Sequence, residues 1–242
     1  MSKKKKRSDQ IIVALDTADL KWAKKLVKLL HKRIRLFKVG KELYTAWGTE
    51  AVKAVRWEGG HIFLDLKFHD IPNTVAGAVR EATKQNVFMM TVHTMGGSQM
   101  LEAARRAVEE TVRRKRVKRR PKLMGVTVLT SINEHELKSE LWIERPLQKT
   151  VLHLAEMADR AGLDGVIASG RELAVIRRHL GKDLLVVTPG IRPAWATKGD
   201  QRRIMTPQKA LSLGADYLVI GRPITAAKDP LEAAEKVIEE IS

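Results

Sequence analysis

Short apolar runs alternate with longer amphipathic ones from one end of this chain to the other, and that alternation constrains the fold more than any other feature. The short runs occupy residues 11–15, 36–39, 62–66, 87–92, 123–129, 165–168, 184–187 and 217–220. They are nearly continuous in apolar residues rather than alternating with polar ones, as strands buried on both faces of a parallel sheet must be. Helical patterns lie between them at 20–30, 98–114, 147–161 and 231–241; in the first, Leu26, Leu29 and Leu30 share one face. Eight strand–helix units in 242 residues predict an α/β fold, a single-domain (β/α)8 TIM barrel, which usually takes about 250 residues. A doubly wound open sheet alternates similarly, so the pattern favours the barrel without proving it. No Pro/Gly/Ser-rich linker divides the chain. The reading is a basic, flexible tail over residues 1–10 and one catalytic barrel over 11–242.

Composition narrows the chemistry. The absence of cysteine removes disulfides, thiolate metal sites and a cysteine nucleophile together. No apolar run reaches the roughly 18 residues of a membrane-spanning helix. Lys3-Lys4-Lys5-Lys6-Arg7 is followed by too short an apolar stretch for a secretory signal, so a cytoplasmic protein is expected. The net charge of +17 is concentrated: five cations lie in the tail and eight more between Arg113 and Lys122. Without them the body carries only about +4. Both clusters read as solvated surface, and no nucleic-acid partner is expected beyond weak RNA binding at low salt.

In a barrel the chemistry gathers where strands end, and the polar residues of this chain sit there. Asp16 follows the first run, Lys38 lies in the second, and Asp65 and Lys67 end the third. His93 ends the fourth, Thr130 and Ser131 follow the fifth, Pro189-Gly190 closes the seventh and Gly221-Arg222 the eighth. The segment Asp65-Leu66-Lys67-Phe68-His69-Asp70 is the most informative. Residues two apart on a strand share a face, so Asp65 and Lys67 are expected to pair. One such pair alone is compatible with a structural salt bridge. With Lys38 and Asp70 added, four alternating charges at the mouth make a preorganised electrostatic site the better reading. The histidines show no ligand spacing, and no metal site is expected.

The run Phe63-Leu64-Asp65-Leu66-Lys67-Phe68-His69-Asp70-Ile71-Pro72-Asn73-Thr74 resembles the signature of the bacterial-type orotidine 5′-phosphate decarboxylases. Val13-Ala14-Leu15-Asp16, Lys38-Val39-Gly40-Lys41-Glu42 and the segments 126–131, 187–192, 199–207 and 219–224 resemble that family in the same order, from about Ile11 to the C-terminus. The resemblance implies cofactor-independent decarboxylation of orotidine 5′-phosphate to UMP, the last step of de novo pyrimidine synthesis, by a homodimer with shared active sites. It implies that Lys67 protonates C6 as carbon dioxide leaves, that Asp65 presses against the substrate carboxylate, and that Lys38 and Asp70 complete the charge array. Asp70, Ile71 and Thr74 would reach into the neighbouring subunit's site. Asp16 and Lys38 would bind the ribose hydroxyls, and Thr130 with Ser131 the pyrimidine edge. Arg192, Gln201, Gly221 and Arg222 would grip the phosphate, with Pro189 beside them. This chain departs from the family at Thr94 and Met95, where small residues are usual and where Met95 could narrow the pocket. It departs again in the density of charge between Arg113 and Lys122.

The implied chemistry is consistent with those residue types. Decarboxylation leaves an electron pair in an sp² orbital on C6 that the ring cannot delocalise. A protein without a carbanion-stabilising cofactor must place a fixed positive charge there and then supply a proton. A lysine held as ammonium by flanking aspartates does both. Distant phosphate contacts would help close the segment 192–203, with Gly199 as its hinge. The rival is a magnesium-dependent sugar-phosphate decarboxylase or synthase of the same suprafamily. Thr130-Ser131 and the segments 189–192 and 199–203 favour the nucleotide.

Overall fold

The computed structural model describes residues 6–115, 117, 119–196 and 205–242. Eight parallel strands close into a barrel in chain order. They are β1 (Ile11–Leu15), β2 (Leu36–Gly40), β3 (His61–Phe68), β4 (Met89–His93), β5 (Lys122–Val126), β6 (Gly165–Ile167), β7 (Leu185–Thr188) and β8 (Tyr217–Ile220). β1 closes the cylinder because it pairs on one side with β2, Ile12 opposite Leu36, and on the other with β8, Ile12 opposite Val219. A closed sheet leaves no free edge to recruit another chain. The helices of the first half are α1 (Leu20–Leu30), α2 (Lys41–Trp47), α3 (Thr49–Trp57), α4 (Pro72–Lys84) and α5 (Gly97–Lys115). Those of the second half are α6 (Glu134–Ser139), α7 (Leu147–Arg160), α8 (Leu173–Leu180), α9 (Pro207–Ser212), α10 (Arg222–Thr225) and α11 (Pro230–Glu240). No helix among the described residues is long and apolar enough to cross a membrane.

Local chemistry sets the helix starts. Asp19 accepts from the Trp22 amide ahead of α1, and Asp229 accepts from the Leu231 and Glu232 amides ahead of α11, where Pro230 needs no partner for its nitrogen. Asn133 and Glu136 form a reciprocal capping box at α6. Each cap is worth about 1 kcal/mol.

Alternation along each strand sorts the side chains into two populations. Ile11, Val13 and Leu15 of β1 belong to the large core between sheet and helices. Ile12 belongs to a smaller cluster filling the barrel, with Leu36, Phe63, Met89, Met124, Val187 and Tyr217. Burying a side chain such as Phe63 contributes about 1.5–3 kcal/mol. Two residues further along the same strands, on the same face, come Ala14, Lys38, Asp65, Thr91, Val126, Pro189 and Val219. One end of the barrel is therefore plugged by apolar groups, and the other opens onto polar ones.

The plugged end is fastened by two carboxylates. Asp164, just before β6, accepts from both terminal nitrogens of Arg120 at 2.8 and 3.1 Å and from the Leu123 amide of β5 at 2.8 Å. Asp216, just before β8, accepts from Arg177 at 2.6 Å and from the Val186 amide of β7 at 2.7 Å. Arg7–Gln10 forms a single 3-10 turn here, and Gln10 donates to the Asp216 carbonyl. The described cations of the basic runs, such as Arg7 and Arg119, precede β1 and β5 or, as Lys122, begin β5, and so lie at this end, away from the mouth.

Three strand bounds depart from the sequence pattern by more than one residue. β3 runs on to Phe68, two residues beyond its apolar run. β4 begins at Met89 rather than residue 87. β5 ends at Val126 rather than residue 129. There the chain turns out of the ladder once Thr127 has bonded the Ile167 carbonyl with both its amide and its hydroxyl. Leu129 is left partly exposed in the turn.

Candidate active site

β1, β2 and β3 bring four charges into one line at the barrel mouth. Lys38 donates to Asp16 at 2.6 Å and stands 3.8 Å from Asp65. Lys67 donates to both oxygens of Asp65 at 2.9 Å. The Lys38 and Asp65 side chains are each 12% exposed, against 60% for Asp16. Screening by water is therefore weak around Asp65 and strong at Asp16. Neither lysine is left to carry its charge alone, which at this depth would be costly.

Asp65 and Lys67 meet as expected, but not by simple alternation. The β3–β4 ladder pairs Leu64 with Met90 and then Phe68 with Val92, so four steps of β3 oppose two of β4. Within this bulge Lys67 has φ +53°, in the left-handed region that a lysine rarely adopts. Its amide donates to Thr91 Oγ1 at 2.9 Å, and the same hydroxyl donates to Asp65 Oδ1 at 3.1 Å. Thr91 is fully buried. Its role was hidden in the sequence because it reads as one more β-branched residue in a strand. The available signal was a hydroxyl facing the same way as His93, beside a charged neighbouring strand.

Asp70 stands apart from this line within the subunit. It is exposed, and its carboxylate accepts from the Ile71 amide at 2.6 Å. Ile71 is 67% exposed ahead of Pro72, the first residue of α4, and Thr74 is exposed on the first turn. His69 stacks on His93 with ring centroids 5.2 Å apart. Burial, aided by His69, Lys67 and Lys41, pushes the His93 imidazole down to about 4, so it is neutral near pH 7. Met95 packs against the large core instead of lining the mouth, and Thr94 is buried with its hydroxyl on the Val126 carbonyl at 2.7 Å. The departure at these two positions leaves the cavity open.

A cavity of about 320 Å³ opens beside the charges. Asp16, Lys38 and Asp65 form one side; Pro189, Gly190, Ile191 and Arg192 from the end of β7, and Gly221, Arg222, Pro223 and Thr225 from the end of β8, form the other. Arg192 is buried and Arg222 exposed. The arrangement suits a ligand with an anionic group at the arginines and a reacting group at the lysines. Pro223 and Thr225 were not singled out in the sequence, since α10 is too short to show periodicity. Thr130 and Ser131 lie in the turn after β5, outside this lining. Gln201 and Gly199 fall outside the described residues. The chain flanking that stretch is tied together: the Arg192 amide donates to the Met205 carbonyl and the Met205 amide to the Gly190 carbonyl. Among the described residues, no three His, Asp or Glu side chains are grouped to hold a metal.

Comparison with known proteins gives a consistent result. The family model described as Orotidine 5′-phosphate decarboxylase / HUMPS family matches residues 9–237. An orotidine 5′-phosphate decarboxylase of Moorella thermoacetica is 51% identical over 233 residues, covering 96% of this chain and 92% of that one. One from Geobacter sulfurreducens is 46% identical over 233 residues, 96% of each chain. The crystal structure of orotidine 5′-phosphate decarboxylase from Lactobacillus acidophilus is similar at a TM-score of 0.85 and 38% identity, covering 97% of this chain and 99% of that one. The corresponding enzyme of Pyrococcus horikoshii gives a TM-score of 0.75 at 25% identity, covering 96% and 98%.

Proposed function

Since the chain belongs to the orotidine 5′-phosphate decarboxylase / HUMPS family, we propose that it converts orotidine 5′-phosphate to UMP and carbon dioxide in pyrimidine synthesis, using only its own side chains. The observation that carries this reading is the Lys38–Asp65–Lys67 line at the mouth, with both Asp65 oxygens 2.9 Å from the Lys67 ammonium. The bond from C6 to the carboxylate carbon breaks, and its electron pair stays on C6. The Lys67 ammonium stabilises the developing negative charge and then gives C6 a proton. The fixed charges need no rearrangement as the reaction proceeds, which is where most of the stabilisation arises. Asp65 faces the departing carboxylate, a repulsion that is relieved when neutral carbon dioxide leaves.

Arg192 and Arg222, with Gly221, hold the phosphate on the far wall of the cavity, with Gln201 assisting and Pro189 shaping the floor. Asp16 and Lys38 hold the ribose hydroxyls, and Thr130 with Ser131 the pyrimidine edge. The exposed Asp70, Ile71 and Thr74 support a homodimer in which these three residues complete the neighbouring site. An apolar Ile71 presented beside the mouth fits such a contact better than it fits water.

The reading is tested by following the loss of absorbance of orotidine 5′-phosphate with and without EDTA. Equal turnover in both is expected. Turnover abolished by EDTA would end the reading that its own side chains suffice, and no turnover by the folded protein would move the chain to the metal-dependent sugar-phosphate branch of its family.

Gly40 offers a second check on the ribose contacts. A methyl group there would stand 2.9 Å from Lys38 Nζ and 3.1 Å from Asp16 Oδ1. Both are ends of flexible side chains, so Gly40→Ala should fold normally while spreading the Lys38–Asp16 pair. KM for orotidine 5′-phosphate is expected to rise about 10-fold, from the misplaced ribose contacts. An unchanged KM would remove Asp16 and Lys38 from substrate binding.

A further inference from the structure

The bulge that carries Lys67 has to be held open by something, because the strand pairing does not do it. Three residues of β3 oppose one of β4 between the Leu64–Met90 and Phe68–Val92 pairs. The φ of +53° holds Lys67 in the left-handed region, where the Cβ of an L-residue crowds the following carbonyl oxygen. With its amide turned out of the ladder, Lys67 also has a part-buried N–H to satisfy.

Thr91 Oγ1 meets both demands. An amide can only donate, so the hydroxyl must accept at Lys67 N, 2.9 Å away. Its single proton is then directed to Asp65 Oδ1 at 3.1 Å. Asp65 in turn receives the Lys67 ammonium on both oxygens. One hydroxyl thus fixes the backbone of the lysine and the side chain of its counter-ion at the same time, closing a ring of three residues. Thr91 is fully buried beneath the site and is absent from the cavity lining, so it acts only through its two neighbours.

We propose that Thr91 is a positioning residue for decarboxylation, orienting Lys67 and Asp65 toward the reacting carbon. The proposal rests on the decarboxylase reading above. Thr91→Val keeps the shape and removes both hydrogen bonds; Thr91→Ser keeps the hydroxyl and removes only a methyl group. In Thr91→Val, kcat should fall about 100-fold, the loss expected when a catalytic group shifts by about 1 Å. KM and UMP affinity should stay within about twofold, because the ribose and phosphate contacts lie elsewhere. Thr91→Ser should recover most of kcat, a rescue that a purely packing role would not produce. Amide hydrogen exchange at Lys67 should be about 10-fold faster in the valine variant and near wild type in the serine variant. If Thr91→Val does not fold, Thr91→Ala is read by the same measurements.

A valine variant with wild-type kcat overturns the proposal, as does a serine variant that fails alongside it. If the wild-type protein itself does not turn over orotidine 5′-phosphate, the decarboxylase reading has failed. The exchange measurement then still decides whether Thr91 holds the Lys67 bulge.

Discussion

Replacing Lys67 with alanine is expected to slow turnover of orotidine 5′-phosphate by about 10⁴-fold or more while leaving a folded protein that still binds UMP. Two losses add in that variant: the positive charge beside C6 and the proton that C6 must receive. The fold should survive because Asp65 is not stranded. It keeps the Thr91 hydroxyl at 3.1 Å and Lys38 at 3.8 Å. Lys67→Arg separates the two losses, since a guanidinium preserves the charge but does not give up a proton near neutral pH. It should remain far below wild type. Steady-state kinetics on both variants, with UMP binding as the control for folding, provide the check. Activity near wild type in either one would end the role assigned to Lys67.

Equal mixing of two nearly inactive variants, Lys67→Ala and Asp70→Ala, should restore about a quarter of wild-type activity if the subunits exchange freely in a twofold dimer. Half of the dimers formed at random carry one chain of each kind. In such a dimer one site combines both lesions, and the other has an intact Lys67 from one chain and an intact Asp70 from its partner. Among the described residues Asp70 bonds its neighbouring Ile71 amide and stands apart from the Lys38–Asp65–Lys67 line. The mixture therefore asks whether Asp70 works across the interface. No recovery after verified exchange would place all of the catalytic charges in one chain.

Much of the barrel could be read from apolar periodicity. The bounds of β1, α1 and β8 are the same in the sequence pattern and the structure. A strand buried on both faces has little choice of composition, so its signal is strong. Departures occur where an apolar run outlasts its hydrogen bonds, as at Leu129, or where hydrogen bonds outlast the run, as at Phe68. The charges of the site were legible because Asp and Lys in the middle of buried strands need a reason. Thr91 was not, because a threonine in a strand needs none. Nor could alternation reveal the bulge at Lys67. Asp65 and Lys67 share a face in an ideal strand, and they meet here through a backbone that is not ideal. Pro223 and Thr225 reach the cavity only because β8 ends beside β7, a proximity that arises from closing the sheet.

Asp164 and Asp216 tie β5 to β6 and β7 to β8 at the end of the barrel away from the cavity, using Arg120 and Arg177 as second anchors. Lineages built on this scaffold therefore inherit closure and chemistry as separable traits. Loops at the mouth can be lengthened, exchanged or retuned to a new substrate in successive generations, and selection for folding, acting mainly at the opposite rim, need not oppose each trial.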